Sequence, residues 1–237
     1  AALPAASGTG DRIYLHSGSY ATGHTLNADE HLIGQGHSGS SATLLGVVAV
    51  ANGLLDLTPA TGAPPSIGST VTFGGNNALL RGVAINSGAN TGVSAGAVTN
   101  ITALESSITS AATAVNFNGT DAGPSGVVFT STTSTAGTSG IVLNNVTDTF
   151  DFGAGALLGH SGVSFLGTGT LGTTTYGGSI SKNSAGNMVE LTGAAAGTVS
   201  LAGNLSCTFP CAGIDVLNRG AGTITFSGTN KILSTGA

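Results

Sequence analysis

The sequence predicts an all-β fold, a right-handed parallel β-helix solenoid with a period of about 25 residues per turn, and three observations carry that prediction. The first is composition. Forty glycines in 237 residues stand beside five basic and ten acidic side chains, and there is no tryptophan. Ordinary soluble domains carry about a quarter charged residues, so Ser, Thr, Asn and Gly must keep this surface wet. Those residues, with Val, favour strands closed by tight turns over helices. The second is repetition: TVSLAG at 198–203 returns as TITFSG at 223–228. The third is that both phrases alternate apolar and polar residues, the period of a strand with one buried face.

Alternation sends Val199 and Leu201 inward, with Ile224 and Phe226 in the matching places. Upstream, Thr174/Tyr176, Phe150/Phe152 and Val127/Phe129 precede them at nearly the same interval. A second series runs out of phase with the first and keeps a similar spacing: Val115/Phe117, Ile141/Leu143, Val163/Phe165, Val189/Leu191 and Ile214/Val216. Each period therefore holds at least two strands, separated by turn-forming clusters such as NNVTD, GTGTLG and LNRGAG. No single turn can bury its own apolar row, but stacking at about 4.8 Å joins the rows into continuous columns. Parallel crossovers run right-handed. An antiparallel sandwich would need Asn-Gly hairpins between alternating runs, and neither Asn52 nor Asn118 has strands at hairpin spacing. At this period the chain, read as one domain over 1–237, gives roughly nine turns.

Composition also removes several classes of function. The net charge is −5, and the basic residues Arg12, Arg81, Lys182, Arg219 and Lys231 are scattered, which leaves no footprint for a phosphate backbone; nucleic acid is not expected as a partner. The most apolar stretch, 44–57, is cut by Asn52 and Gly53 and ends at Asp56. A spanning helix needs about 20 apolar residues, so membrane insertion is not expected. The opening AALPAASGTG lacks the basic region of an intact signal peptide. Cys207 and Cys211 in CTFPC predict a local disulfide across a turn, which argues for an extracellular or cell-surface location.

Candidate chemistry is sparse. Glu190 and Asp215 occupy the same outward slot in consecutive turns, where stacking sets two carboxylates about 5 Å apart. That spacing suits a shared cation such as calcium, or the acid pair of a retaining glycosidase. The matching slots of earlier turns read as Ser164, Val142 and Asn116, so no groove of acids and bases surrounds the pair, and the catalytic reading stays the weaker one. The outward sides of the repeated strand read Thr149/Asp151, Thr173/Thr175, Thr198/Ser200 and Thr223/Thr225. Stacked, they form a hydroxyl and methyl ladder suited to contact with a glycan or another chain, and less to ice; Thr ladders also simply stabilise strand pairing. His16, His24, His31 and His37 crowd into one short stretch with Asp29 and Glu30, but lack zinc-type spacing and read as solvated turn and outward positions, so no metal is expected. GQGHSG and GTGTLG match the dinucleotide fingerprint without a following helix, and GVSAG matches a nucleophile elbow without its strand-to-helix turn.

The stretch GDRIYLHSGSYATGHTLNADEHLIGQG, 10–36, resembles the opening turns of secreted pectate-lyase-like right-handed β-helix proteins, with their Gly-Asp, Gly-x-Tyr and Leu-Ile-Gly-x-Gly. The later Thr- and Gly-rich turns look like those of large bacterial surface and adhesin-type β-helix proteins. The resemblance implies a secreted solenoid, yet the Asp triad with flanking Lys and Arg of the lyases and polygalacturonases is missing, and no catalytic residue carries over. The expectation is a non-catalytic, extracellular structural or adhesive β-helix, with a polysaccharide-active enzyme or carbohydrate-binding module as the alternative. Without a capping helix at 1–10 both ends are expected to be open, so the partners are other copies head to tail, the rest of a longer chain, or glycans.

Overall fold

The computed structural model describes Leu3 and residues 7–38, 62–193, 197–208 and 210–234. The apolar stretch 44–57 lies outside the described residues. So do half of the opening decapeptide and the last three positions. Every strand pairing is parallel, and the described residues contain no helix. Strands stack into three ladders at roughly 24 residues per turn over about seven turns.

The first ladder takes β1 (Arg12–Leu15), β4 (His31–Gly34), β7 (Leu79–Arg81), the start of β10 (Ile101–Ser110), the start of β12 (Ala122–Ser134), the end of β13 (Ile141–Asp151), the end of β15 (Phe165–Tyr176), β18 (Val199–Leu201) and β21 (Ile224–Phe226). The second takes β2 (Ser19–Tyr20), β5 (Ser66–Ile67), β8 (Ala84–Gly88), the ends of β10 and β12, then β14 (Ala156–Leu158), β16 (Ser179–Lys182), β19 (Leu205–Thr208) and β22 (Lys231–Ser234). The third takes β3 (His24–Leu26), β6 (Val71–Phe73), β9 (Val93–Ala95), β11 (Val115–Asn118), the starts of β13 and β15, then β17 (Gly186–Thr192) and β20 (Cys211–Leu217). Four long strands thus bend round corners, and their pairings carry shifts of register.

The turns are fewer than chain length divided by period suggests. His31 pairs with Leu79, two periods further along the chain instead of one, and residues 39–61 between β4 and β5 lie outside the described residues. From Leu79 onward the spacing is regular. Inward Val, Ile, Leu and Phe fill the interior, with Phe73, Phe117, Phe129, Phe150 and Phe152 essentially without solvent contact. Their rings form a chain along the axis, Phe73–Phe117 at 6.5 Å, Phe117–Phe150 at 5.7 Å and Phe150–Phe152 at 6.3 Å, the aromatic packing that adds to area burial.

The first series of inward residues pairs as the sequence reads, from Val127 through Phe150, Thr174 and Val199 to Ile224. The second series needs one correction. Ile141 and Leu143 pair with Phe165 and Gly167, not with Val163 and Phe165, and Val189 and Leu191 follow. Gly167 occupies an inward slot because a side chain there would meet Leu171 Cδ1 at 2.6 Å and Leu191 Cδ2 at 2.9 Å; Leu171 fills the space from round the corner. The outward slot before Glu190 is therefore Leu166, while Ser164 is buried.

Glycine content has a local cause at the corner after the first ladder. Gly203 and Gly228 each press on the turn below, where an added Cβ would lie 1.9 Å from Gly178 O and 2.0 Å from Gly203 O. Only a residue without a side chain lets consecutive turns close to stacking distance there.

Candidate functional site

The repeated strand presents its polar side outward, as the alternation requires. Thr149 pairs with Thr173, and Asp151, Thr175, Ser200 and Thr225 succeed one another in register. Thr198 and Thr223 precede the paired Val199 and Ile224 and extend the other file. Thr149, Thr173, Thr198, Thr223 and Thr225 are exposed. Within the described residues none of these seven hydroxyls has a hydrogen-bond partner. Elsewhere outward hydroxyls pair along the axis, as Thr72 does with Ser94 at 2.8 Å. Asp151, the one charge in the array, turns its Oδ1 to the Gly153 N–H at 2.9 Å.

Glu190 and Asp215 are partners in adjacent turns. Both are half-buried, and Asn187 Nδ2 donates to Glu190 Oε2 at 3.1 Å and reaches Asp215 Oδ2 at 3.5 Å. Among the described residues no group of three or more His, Cys, Asp or Glu converges as a metal site. The pair and its amide stand alone on the third ladder, below Leu166 and Val142.

A second acid pair was not legible in sequence. Asp121 and Asp148 meet at the corner between the third and first ladders, beside a cleft of about 350 Å³ lined by Asn100, Pro124 and Thr149 among others. The hydrogen bond that Asp148 gives to Asp121 raises the pKa of Asp148, while the Thr147 hydroxyl, 2.6 Å from Asp121 Oδ1, and then Asp148 lower that of Asp121. Of the two, Asp148 is the carboxyl that keeps its proton to higher pH. They also end a side-chain ladder on the same corner, in which Asn77 Nδ2 donates to Asp29 Oδ1 at 2.9 Å and Asn100 Nδ2 to Asn77 Oδ1 at 2.7 Å. Asp29, Asn77, Asn100 and Asp148 all adopt left-handed φ between 58° and 71°, which Asn and Asp tolerate best among residues with side chains.

The N-terminal histidines do not form one surface group. His24 points inward and is buried with Glu30, its Nε2 2.5 Å from Glu30 Oε1, while Ser7 Oγ donates to Glu30 Oε2 at 2.9 Å. Burial raises the Glu30 pKa, but the hydrogen bonds from His24, the Asn27 N–H and Ser7 outweigh it and hold the carboxyl below its ordinary value. Ser7 Oγ also approaches Nε2 at 3.4 Å; serine and acid share one ring nitrogen, so no relay exists. His37 is buried against Tyr14 at a ring distance of 6.2 Å, and His16 packs on the other edge at 5.1 Å. Burial, then the Arg12 charge, pushes His31 down. Solvation fails as an account of His24 and His37 because both help close the first turns, where Leu3 is buried as well. On the other side Arg81 Nε lies 2.6 Å from Glu105 Oε2, and the Ser38 N–H donates to the same oxygen at 3.0 Å.

Cys207 and Cys211 are joined by a disulfide that closes the corner between β19 and β20. The last turn differs from the first in its surface: Val216, Leu217, Ile232 and Leu233 are exposed, with Leu158 the remaining large apolar side chain so placed among the described residues. Ser94 of GVSAG lies outward in a strand, bonded to Thr72 and remote in the ladder from His160. GTGTLG runs through β15.

These features define a parallel β-solenoid with polar outer ladders and carboxylates tied into contacts of the wall. Comparison with protein-family models, with curated proteins and with solved structures finds no match to the chain.

Proposed function

We propose that the chain is a non-catalytic structural or adhesive β-helix working outside the cell, as a stiff surface or filament component. The observation that carries this reading is the outward array on the last four turns of the first ladder, seven hydroxyls in register with no hydrogen-bond partner among the described residues. Such an array offers hydrogen bonds and methyl groups at a fixed repeat of about 4.8 Å without ordering any side chain of high entropy, which suits contact with a long periodic ligand such as a glycan. The Cys207–Cys211 disulfide supports an oxidising compartment.

The test is retention of the chain by insoluble neutral and acidic polysaccharides, compared with a Thr173→Lys/Thr198→Lys variant. Retention that falls at least tenfold in the variant supports the array as the adhesive face; retention unchanged by both lysines overturns it. Freezing-point hysteresis lost in the same variant would instead make ice the ordered ligand.

One observation favours a second reading, polysaccharide-active chemistry: the carboxyls of Asp121 and Asp148 line one cleft, and the neighbouring Asp121 raises the pKa of Asp148. A carboxylic acid next to a carboxylate is the pairing such hydrolysis uses. The ladder of Asp29, Asn77 and Asn100 explains the same pair without catalysis, and we rank this reading second.

A further inference from the structure

Inside the corner between the second and third ladders runs a polar column that the adhesive reading does not use. Each member reaches back to the main chain of the preceding turn: Ser110 Oγ donates to Asn90 O at 2.8 Å, Ser134 Oγ donates to Ala112 O, and Lys182 Nζ donates to His160 O at 2.8 Å and Gly162 O at 2.5 Å. Lys182 Nζ also donates to Ser184 Oγ at 2.8 Å. Three donors thus meet three acceptors, the pattern of an ammonium, in a side chain that is 1% exposed. Neither ion pair among the described residues includes it.

His160, whose carbonyl accepts from this cation, has no exposure at all. Its Nε2 is 2.7 Å from Ser134 Oγ and its Nδ1 is 3.1 Å from Ser164 Oγ. Gly140 abuts the ring so closely that an added Cβ would lie 2.9 Å from Cε1. The neutral imidazole is satisfied by one serine donating and one accepting. Ser134 from β12 and Ser164 from its own loop meet the ring, Lys182 from β16 holds the main-chain oxygen of the same residue, and the Gly140 backbone and Leu157 lie alongside; among the described residues none of these is an acid. A second positive charge would lie beside the first in a dry site with nothing to neutralise it.

We propose that His160 and Lys182 make this corner an acid-sensitive lock, closed while the imidazole is neutral and opened at loop 159–164 when it takes up a proton. Burial, then the Lys182 charge, pushes His160 down to about 4. Its folded pKa lies below the ordinary value near 6.5, so its contribution to stability is complete above that value and is lost as pH falls toward 4. The carboxylates Glu30, Glu105 and Asp121, all held low, act further down. His31 also responds in the mildly acid range, which is why the test compares variants.

Hydrogen exchange at residues 159–164, corrected for intrinsic rate, is followed from pH 7.5 to 4.5. The opened population is expected to rise roughly 50-fold over that range by linkage, and to become nearly independent of pH in His160→Asn. In Lys182→Met the rise is expected to be smaller. An equal rise in His160→Asn, or unchanged protection in the parent chain, overturns the proposal. Should His160→Asn fail to fold, the His160 ring protons are titrated in the parent chain, and protonation without loss of protection at 159–164 contradicts the lock.

Discussion

Thr174 is a hydroxyl in a column of apolar side chains. It stands between Phe150 and Val199 in register, is fully buried, and its Oγ1 has no hydrogen-bond partner among the described residues. A buried polar atom without a partner costs about 1–3 kcal/mol, and valine has nearly the same shape. Thr174→Val is therefore expected to stabilise the chain by about 1 kcal/mol, measured as a higher denaturant midpoint at unchanged slope. A lower midpoint would mean that the hydroxyl is satisfied. The residue scale is also where the sequence misleads most easily. Val163 and Phe165 look like an inward pair, but Leu171 fills the slot above Gly167 and moves the register by two. No local pattern announces a side chain arriving from round a corner.

Among the elements, the first and third ladders were legible because their inward residues are large and apolar and return at a nearly constant period. The second ladder was not, since its inward slots hold Ser87, Ser110, Ser134 and Lys182 beside Ile85, Ile108 and Ile180, and alternation vanishes when both faces are polar. For the same reason the outward Thr files and the Glu190–Asp215 register followed from periodicity, whereas Asp121–Asp148 and the Lys182 column depend on corner geometry between different ladders. Glu105 marks another corner, at a φ of 52° inside β10, where it ties Arg81 of β7 to Ser38. Burial raises its pKa, but the bonds to Arg81 and Ser38 prevail and hold it at about 2. That contribution is present above the ordinary carboxylate range and lost as pH falls from about 4.5 toward 2. Urea midpoints of Glu105→Gln are expected to lie below the parent at neutral pH and to converge with it near pH 2; parallel curves would deny the clamp.

On the scale of the whole molecule, each turn touches chiefly its neighbours, so stability is close to a sum of turns and interfaces. A disulfide spanning so short a loop contributes about 2 kcal/mol by loop-closure entropy, and here it acts on the last corner alone. Reduction, or Cys207→Ser with Cys211→Ser, is expected to lose exchange protection in β19, β20 and β22 while the turns around Phe117 and Phe150 keep theirs. Loss of protection throughout would show one cooperative unit instead of nearest-neighbour turns. The same quasi-linear build underlies the functional proposal, because a wall that repeats its outer face can bind along its length without a single reactive group. The most direct test of that claim is release of reducing ends and unsaturated products from a panel of acidic and neutral polysaccharides, with and without calcium. The account predicts no turnover by the intact chain. Turnover abolished by Asp121→Asn, Glu190→Gln or Asp215→Asn would contradict it and place an active site on the wall.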